Sequence, residues 1–187
     1  MQRLDVFLLA RWTDSEQTGY YVAAVSVATV ATVFPGVVGT LVFPRLAASP
    51  DPRERWRITR RAFLLSGAVM AVVAAGVAAF APWIVRLLFG EAFGPAVAPL
   101  RWSMLAVWML SSNSILMKHF SADGTSWVVV YSPALATLVN LALNALLIPG
   151  LGTVGAALAS VGAYAAMLAV SGLHLAHTAR RGPGPRA

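Results

Sequence analysis

The side chains of this chain that could do chemistry stand where charge and polarity are costly. Arg3 and Asp5 lie in a short apolar stretch near the N-terminus, Arg101 lies inside a long apolar run, and Arg86 comes four residues before Gly90. Ionisable groups at membrane depth cost several kcal/mol by most scales, so they normally face a protein interior or a watery cavity. A guanidinium offers paired donors that match phosphate oxygens, which makes the arginines candidates for an anionic headgroup. The plainer reading has Arg3 pairing with Asp5, while Arg86 and Arg101 extend to the lipid headgroups along their own methylene stems. The run Ser111, Ser112, Asn113, Ser114 is unusually polar for its depth, and Thr137, Asn140 and Asn144 recur at spacings of three and four. Those spacings place the second set on one face of a helix. Both sets either line a hydrophilic path or bond neighbouring helices.

Catalytic and metal chemistry has no foothold. Of the three histidines, His119, His174 and His177, the last two have no carboxylate near them in sequence, and no HExxH, GxSxG or P-loop string occurs. The absence of cysteine removes disulfides, thiolate metal sites and cysteine nucleophiles. The expectation is a protein that is not an enzyme, with no metal site, no catalytic residue and no cofactor.

The elements that must position these groups are membrane helices. Five apolar stretches, at 20–43, 62–88, 96–116, 127–148 and 154–176, each approach the length of about 20 helical residues that a bilayer core requires. Their uniform apolarity lacks the alternation of barrel strands, and within hydrocarbon the backbone must bond inside its own segment. Hydrophobic residues make up 58% of the chain and charged residues 11%, against about a quarter charged in a soluble domain. The class is therefore all-α, a polytopic bundle of five full spans plus a partial first helix at 3–11, occupying residues 1–179. The tail at 180–187, rich in glycine, proline and arginine, reads as disordered and cytoplasmic.

Charge sets the orientation. Arg45, Arg53, Arg55, Arg57, Arg60 and Arg61 crowd one gap between spans, and on alternate counting Lys118, Arg180, Arg181 and Arg186 share its side of the membrane. Ten of the 14 basic residues thus fall on one face, which the positive-inside rule makes cytoplasmic. The net charge of +7 opposes anionic lipid and does not signal nucleic acid, since no recognition motif accompanies it. The partial helix then runs outward, and nine residues cover only about half a bilayer. It reads as the outer half of a helix, and the expectation is a fragment or one lobe of a longer protein. Pro35, with Gly36 and Gly39, and Pro133 interrupt the first and fourth full spans, where a missing N–H bends a helix. The last span carries small residues at spacings of four, the pattern of close helix approach.

Four strings in order carry a family likeness. RLDVFLLARWTDSEQTGYYVAA, VFPRLAAS before the basic segment, IVRLLFGEAFGPA and LLIPGLGTVGAALASVGAY together resemble the second half of bacterial polysaccharide flippases. These are the O-antigen and exopolysaccharide transporters of the multidrug/oligosaccharidyl-lipid/polysaccharide exporter superfamily. The resemblance covers nearly the whole chain and implies the C-terminal lobe of a two-lobed transporter in the bacterial cytoplasmic membrane. It also implies a substrate, undecaprenyl-diphosphate-linked oligosaccharide, moved from the inner to the outer leaflet by alternating access. Carried onto these residues, Arg3 and Arg101 would neutralise the diphosphate, Asn113, Asn140 and Asn144 would hydrate the sugar path, and Pro35 and Pro133 would be bending points. Asp5 is the carboxylate available for coupling to an ion gradient. The partners implied are the bilayer, the lipid-linked oligosaccharide and a missing N-terminal lobe or second membrane chain. Two other readings compete: a non-transporting multi-pass subunit that docks through its small-residue faces, and a lobe of a drug or cation exporter of the same superfamily.

The orientation is directly testable because the chain has no native cysteine to confuse labelling. A Ser49→Cys variant should react with a membrane-impermeant maleimide only after the membrane is opened, and Ala92→Cys should react in intact cells. The opposite pattern would invert the topology.

Overall fold

The computed structural model describes residues 2–49, 51–122 and 127–181, and the described residues contain helices and no strand. In chain order these are α1 (Gln2–Trp12), α2 (Ser15–Ala31), α3 (Val33–Ala48), α4 (Pro52–Phe89), a short 3₁₀ turn (Glu91–Ala96), α5 (Val97–Ala122) and α6 (Val128–Arg181). The expected all-α membrane bundle is what forms. Among the described residues, three stretches are long and apolar enough to cross a bilayer: Ser15–Ala48, Arg53–Phe89 and Val128–His177.

Proline and glycine explain where these helices break. Pro35 has no N–H to offer the Ala31 carbonyl, and the chain responds upstream, where the Thr32 N–H turns to Thr29 O at 3.0 Å. The interruption therefore falls at Thr32, three residues before the proline, and Pro35 itself sits buried in the first turn of α3. Pro133 is different. It is beyond the first turn of α6, so its missing N–H leaves the Val129 carbonyl without its usual helical donor, yet the helix runs through it. The non-helical residue in α6 is Gly152, at φ +54° and ψ −128°, a conformation that favours glycine.

Gly152 turns α6 back on itself. Tyr131 reaches His174, Ser132 reaches Ser171, Leu143 approaches Gly162, and Leu147 meets Gly155. The partners converge on residues 151 and 152, so 128–151 and 153–181 are the two antiparallel arms of a helical hairpin. The turn IPGLGTVG is its tip.

The basic segment at 45–61, expected as a loop, is mostly helix. α3 runs to Ala48 and α4 starts at Pro52, so the two are joined by a short connection. Asp51 caps α4 by accepting the Arg53 N–H at 2.9 Å, and Pro52 occupies the first helical position, where its missing donor is harmless. The 38 residues of α4 span about 57 Å, well beyond a bilayer core, and its arginine-rich start projects past the membrane. The remainder of α4 exposes Leu65, Val72, Phe80 and Leu87 to the surroundings, as a lipid-facing helix does.

α5 is the central post. It touches α2, α3, α4 and α6, and half of its 26 residues are buried. Among them are Ser103, Ser111, Ser112 and Asn113. A helix surrounded by protein can carry polar groups that a lipid-facing helix could not. Trp108 ties it to α4 by donating its indole N–H to Gly67 O at 3.0 Å.

The hairpin depends on the absence of a side chain at Gly155, where a Cβ would run into the Leu147 carbonyl. Gly155→Ala should therefore destabilise the protein by about 1–3 kcal/mol. Gly76→Ala, a helical position with open space around it, should be neutral or mildly stabilising. Thermal unfolding of the detergent-solubilised protein distinguishes the two.

Candidate functional site

Asp5 is fully buried where α1 meets α2 and both arms of α6. Its Oδ1 accepts from Asn144 Nδ2 at 2.7 Å, and its Oδ2 accepts from Ser160 Oγ at 3.1 Å and from Tyr21 Oη at 3.2 Å. The same Asn144 amide donates to Asn140 Oδ1 at 3.1 Å. Asn140 and Asn144 are one helical turn apart on the first arm, so their side chains stack on one face and present two carboxamides to a single point. Ser160 comes from the second arm, which the turn at Gly152 folds alongside. Around this polar core lie Leu9, Ile148, Ala156 and Ala157, all buried. The two alanines keep the second arm slim enough for α1 to approach.

Three donors hold the carboxylate, yet among the described residues no cationic side chain pairs with it. Hydrogen bonds alone only partly offset the cost of a bare charge at this depth. Asn144 Oδ1 and Asn140 Nδ2 are buried without a partner among the described residues. The cluster thus gathers carboxylate, carboxamide and hydroxyl oxygens with one acceptor unused, a donor set suited to a proton or to a small hard cation, which prefers oxygen ligands. Among the described residues no group of three or more His, Asp or Glu forms a multi-acid metal cage.

The sequence candidates separate accordingly. Asp5, Asn140 and Asn144 come together in one hydrogen-bonded cluster. The Arg3 side chain lies outside the described residues. Arg101 is exposed on the outer part of α5, and its Nε donates to Ala78 O of α4 at 3.0 Å. Asn113 is buried in α5, makes no bond to the Asp5 cluster, and finds no partner for either amide atom among the described residues. Ser111, Ser112 and Ser114 turn their hydroxyls back to carbonyls of their own helix. Thr137 likewise bonds Pro133 O and stays out of the cluster. Arg86 pairs with Glu91 at 3.3 Å on the exposed outer end of α4. His119 shares a 2.8 Å hydrogen bond with Thr59, and His174 packs edge-on against Phe120.

Tyr21 and Ser160 complete the site and escape a reading of the sequence. Ser160 falls in a small-residue row that reads as packing, and Tyr21 stands inside the first family string with no role of its own. The only available signal was the need of Asp5 for donors.

With the geometry in view, comparison with known families is decisive. Residues 5–182 match the family described as Lipid II flippase MurJ. The chain belongs to the MurJ lipid II flippase family. The match covers every member of the Asp5 cluster. No curated protein and no solved structure matches the chain. MurJ flippases are transporters and not enzymes. The match supports a lipid-linked flippase of the exporter superfamily that the four strings suggested, but it does not support the polysaccharide or O-antigen branch in particular.

Asn144 is the donor whose loss should be felt most. Asn144→Ala leaves Asp5 Oδ1 and Asn140 Oδ1 without their shared donor and should cost about 1–3 kcal/mol. Asn113→Ala, which removes an amide that has no partner among the described residues, should cost less. Paired melting curves of the two variants check the order.

Proposed function

We propose that this chain is a transport lobe of a flippase that carries an undecaprenyl-diphosphate-linked glycan from the inner to the outer leaflet of the bacterial plasma membrane. The family match over residues 5–182 carries the reading, and lipid II, the substrate in the family's name, is the favoured cargo. A complementary lobe, on the same or another chain, supplies the other wall of the transport path.

In this reading the Asp5 cluster couples transport to an ion. Its ligands come from α1, α2 and the two arms of α6, so binding a proton or a monovalent cation draws these helices together, and release loosens them. A ligand shifts a conformational equilibrium only through its different affinity for the two states, and a site assembled from several helices supplies that difference. Arg101 acts on the cargo: its Nε is committed to Ala78 O, and its terminal nitrogens are left to meet a diphosphate oxygen pair. Asn113 and the break at Thr32 belong to the path and its bending, while the exposed apolar faces of α4 and α6 stay in lipid with the polyprenyl tail.

Flipping of a fluorescent lipid-linked oligosaccharide by the complete flippase in vesicles tests the proposal. Asp5→Asn keeps the size of the side chain but removes the charge, and it should lower the rate at least about tenfold and abolish the response to an imposed sodium or proton gradient. An unchanged gradient response at equal protein content would overturn the coupling role. Failure of wild-type protein to flip either lipid II or an O-antigen-type precursor would overturn the function.

A further inference from the structure

A cleft of about 840 Å³ opens at the end of the bundle opposite the arginine-rich start of α4, between the α1–α2 connection and the hairpin tip of α6. By the charge asymmetry this end is the outer one. Arg11, Trp12, Asp14 and Gln17 line one wall, and the turn around Pro149 and Gly152 lines the other. Its size falls within the range of small-molecule sites, about 300–1,000 Å³. Trp12 lies seven residues from Asp5 on the same helix, which sets the cleft about 10 Å outward from the buried cluster.

The polar groups in this cleft decline the local partners open to them. Asp14 is the N-cap residue of α2, yet its carboxylate makes no capping hydrogen bond. Arg11 stands three residues from Asp14, and among the described residues no ion pair joins them. Gln17 reaches across the hairpin tip, where a Cβ on Gly152 would run into its carboxamide. Gly152 is thus required twice, by its positive φ and by the room it leaves for Gln17. The indole of Trp12 is 44% exposed at the mouth.

We propose that this cleft is a carbohydrate subsite that receives the glycan head of the lipid-linked precursor on the outer face. A pyranose ring presents an apolar face of C–H bonds and a rim of hydroxyls that both donate and accept. The indole of Trp12 covers the apolar face, since an aromatic body with a polar edge suits a half-wet surface. The Asp14 carboxylate accepts from hydroxyls, the Gln17 carboxamide both donates and accepts, and the Arg11 guanidinium donates in a planar fork that also fits phosphate oxygens. The position at the outer end of α1 puts Arg11 near the headgroup level, where the diphosphate of a flipped precursor comes to rest. The identity of the sugar as the exported head rests on the flippase reading; the sugar chemistry of the cleft does not.

Saturation-transfer NMR with N,N′-diacetylchitobiose, a soluble disaccharide, and the protein in lipid nanodiscs tests the inference. Wild-type protein should transfer saturation to the ring C–H face of the sugar. Trp12→Ala should weaken binding about fivefold, and Trp12→Phe should recover most of the loss because a ring face remains. Asp14→Asn should also weaken it, whereas Gly76→Ala, on α4 and outside the cleft, should leave it unchanged. Absence of transfer to wild-type protein, or binding as tight as wild type by both the Trp12→Ala and Asp14→Asn variants, overturns the subsite. Trp12-dependent sugar binding by a protein that flips no lipid-linked precursor would keep the subsite and sink the flippase reading. Gradient-coupled flipping with Trp12-independent sugar binding would do the reverse.

Discussion

A carboxylate with no exposure to solvent, in a protein built to sit in hydrocarbon, has to be met by its own fold. Asp5 is met from three directions: Tyr21 on α2, Asn144 on the first arm of α6 and Ser160 on the second. Each of these helices has its position fixed in part by that demand. α1 packs against α2 and both arms of α6. Its attachment comes from this polar core and from the apolar collar of Leu9, Ile148, Ala156 and Ala157.

The approach of three helices to one side chain is possible because the second arm of α6 is slim. Gly155 lies against the Leu147 carbonyl, and Gly162 against the Leu143 side chain, so the arms of the hairpin are close where the site forms. Without a hydrophobic driving force between helices in lipid, such packing and the hydrogen bonds across it are what hold a membrane bundle together. Gly152 contributes by turning the chain so that Ser160 returns to the level of Asn144. The same turn forms one wall of the cleft beside Trp12, so the Asp5 cluster and the cleft share one backbone feature. α5 plays the complementary part. It is too polar to rank among the lipid-crossing stretches, and its burial among α2, α3, α4 and α6 is what allows that polarity.

Much of this was legible in the chain. The lengths of the apolar runs imply helices because the bilayer leaves the backbone no other way to bond itself, and the row of Asn140 and Asn144 is visible from its spacing. The break near Pro35 was legible as well, though its place was not: the defect appears at Thr32 because the carbonyl that loses its donor is four residues upstream. Other features were hidden by ambiguity of residue type. Arg101 reads equally as a ligand or as a snorkelling anchor until Ala78 is seen to take its Nε. A basic segment between two spans reads as a loop until Asp51 and Pro52 are recognised as a helix start. Pro133 looks like a bend, yet α6 continues through it.

The sequence by itself determined that this chain is a helical membrane protein, that its arginines gather on one side, and that its motifs belong with lipid-linked flippases. Those properties follow from composition, spacing and short strings, which act locally along the chain. Only the tertiary structure decided that Asp5, Tyr21, Asn140, Asn144 and Ser160 form one cluster while Asn113 and Arg101 stand apart from it. Asp5 and Ser160 are 155 residues apart in the chain, and no local rule brings them together. Their meeting depends on how α1 packs against a hairpin whose turn is made possible by a single glycine.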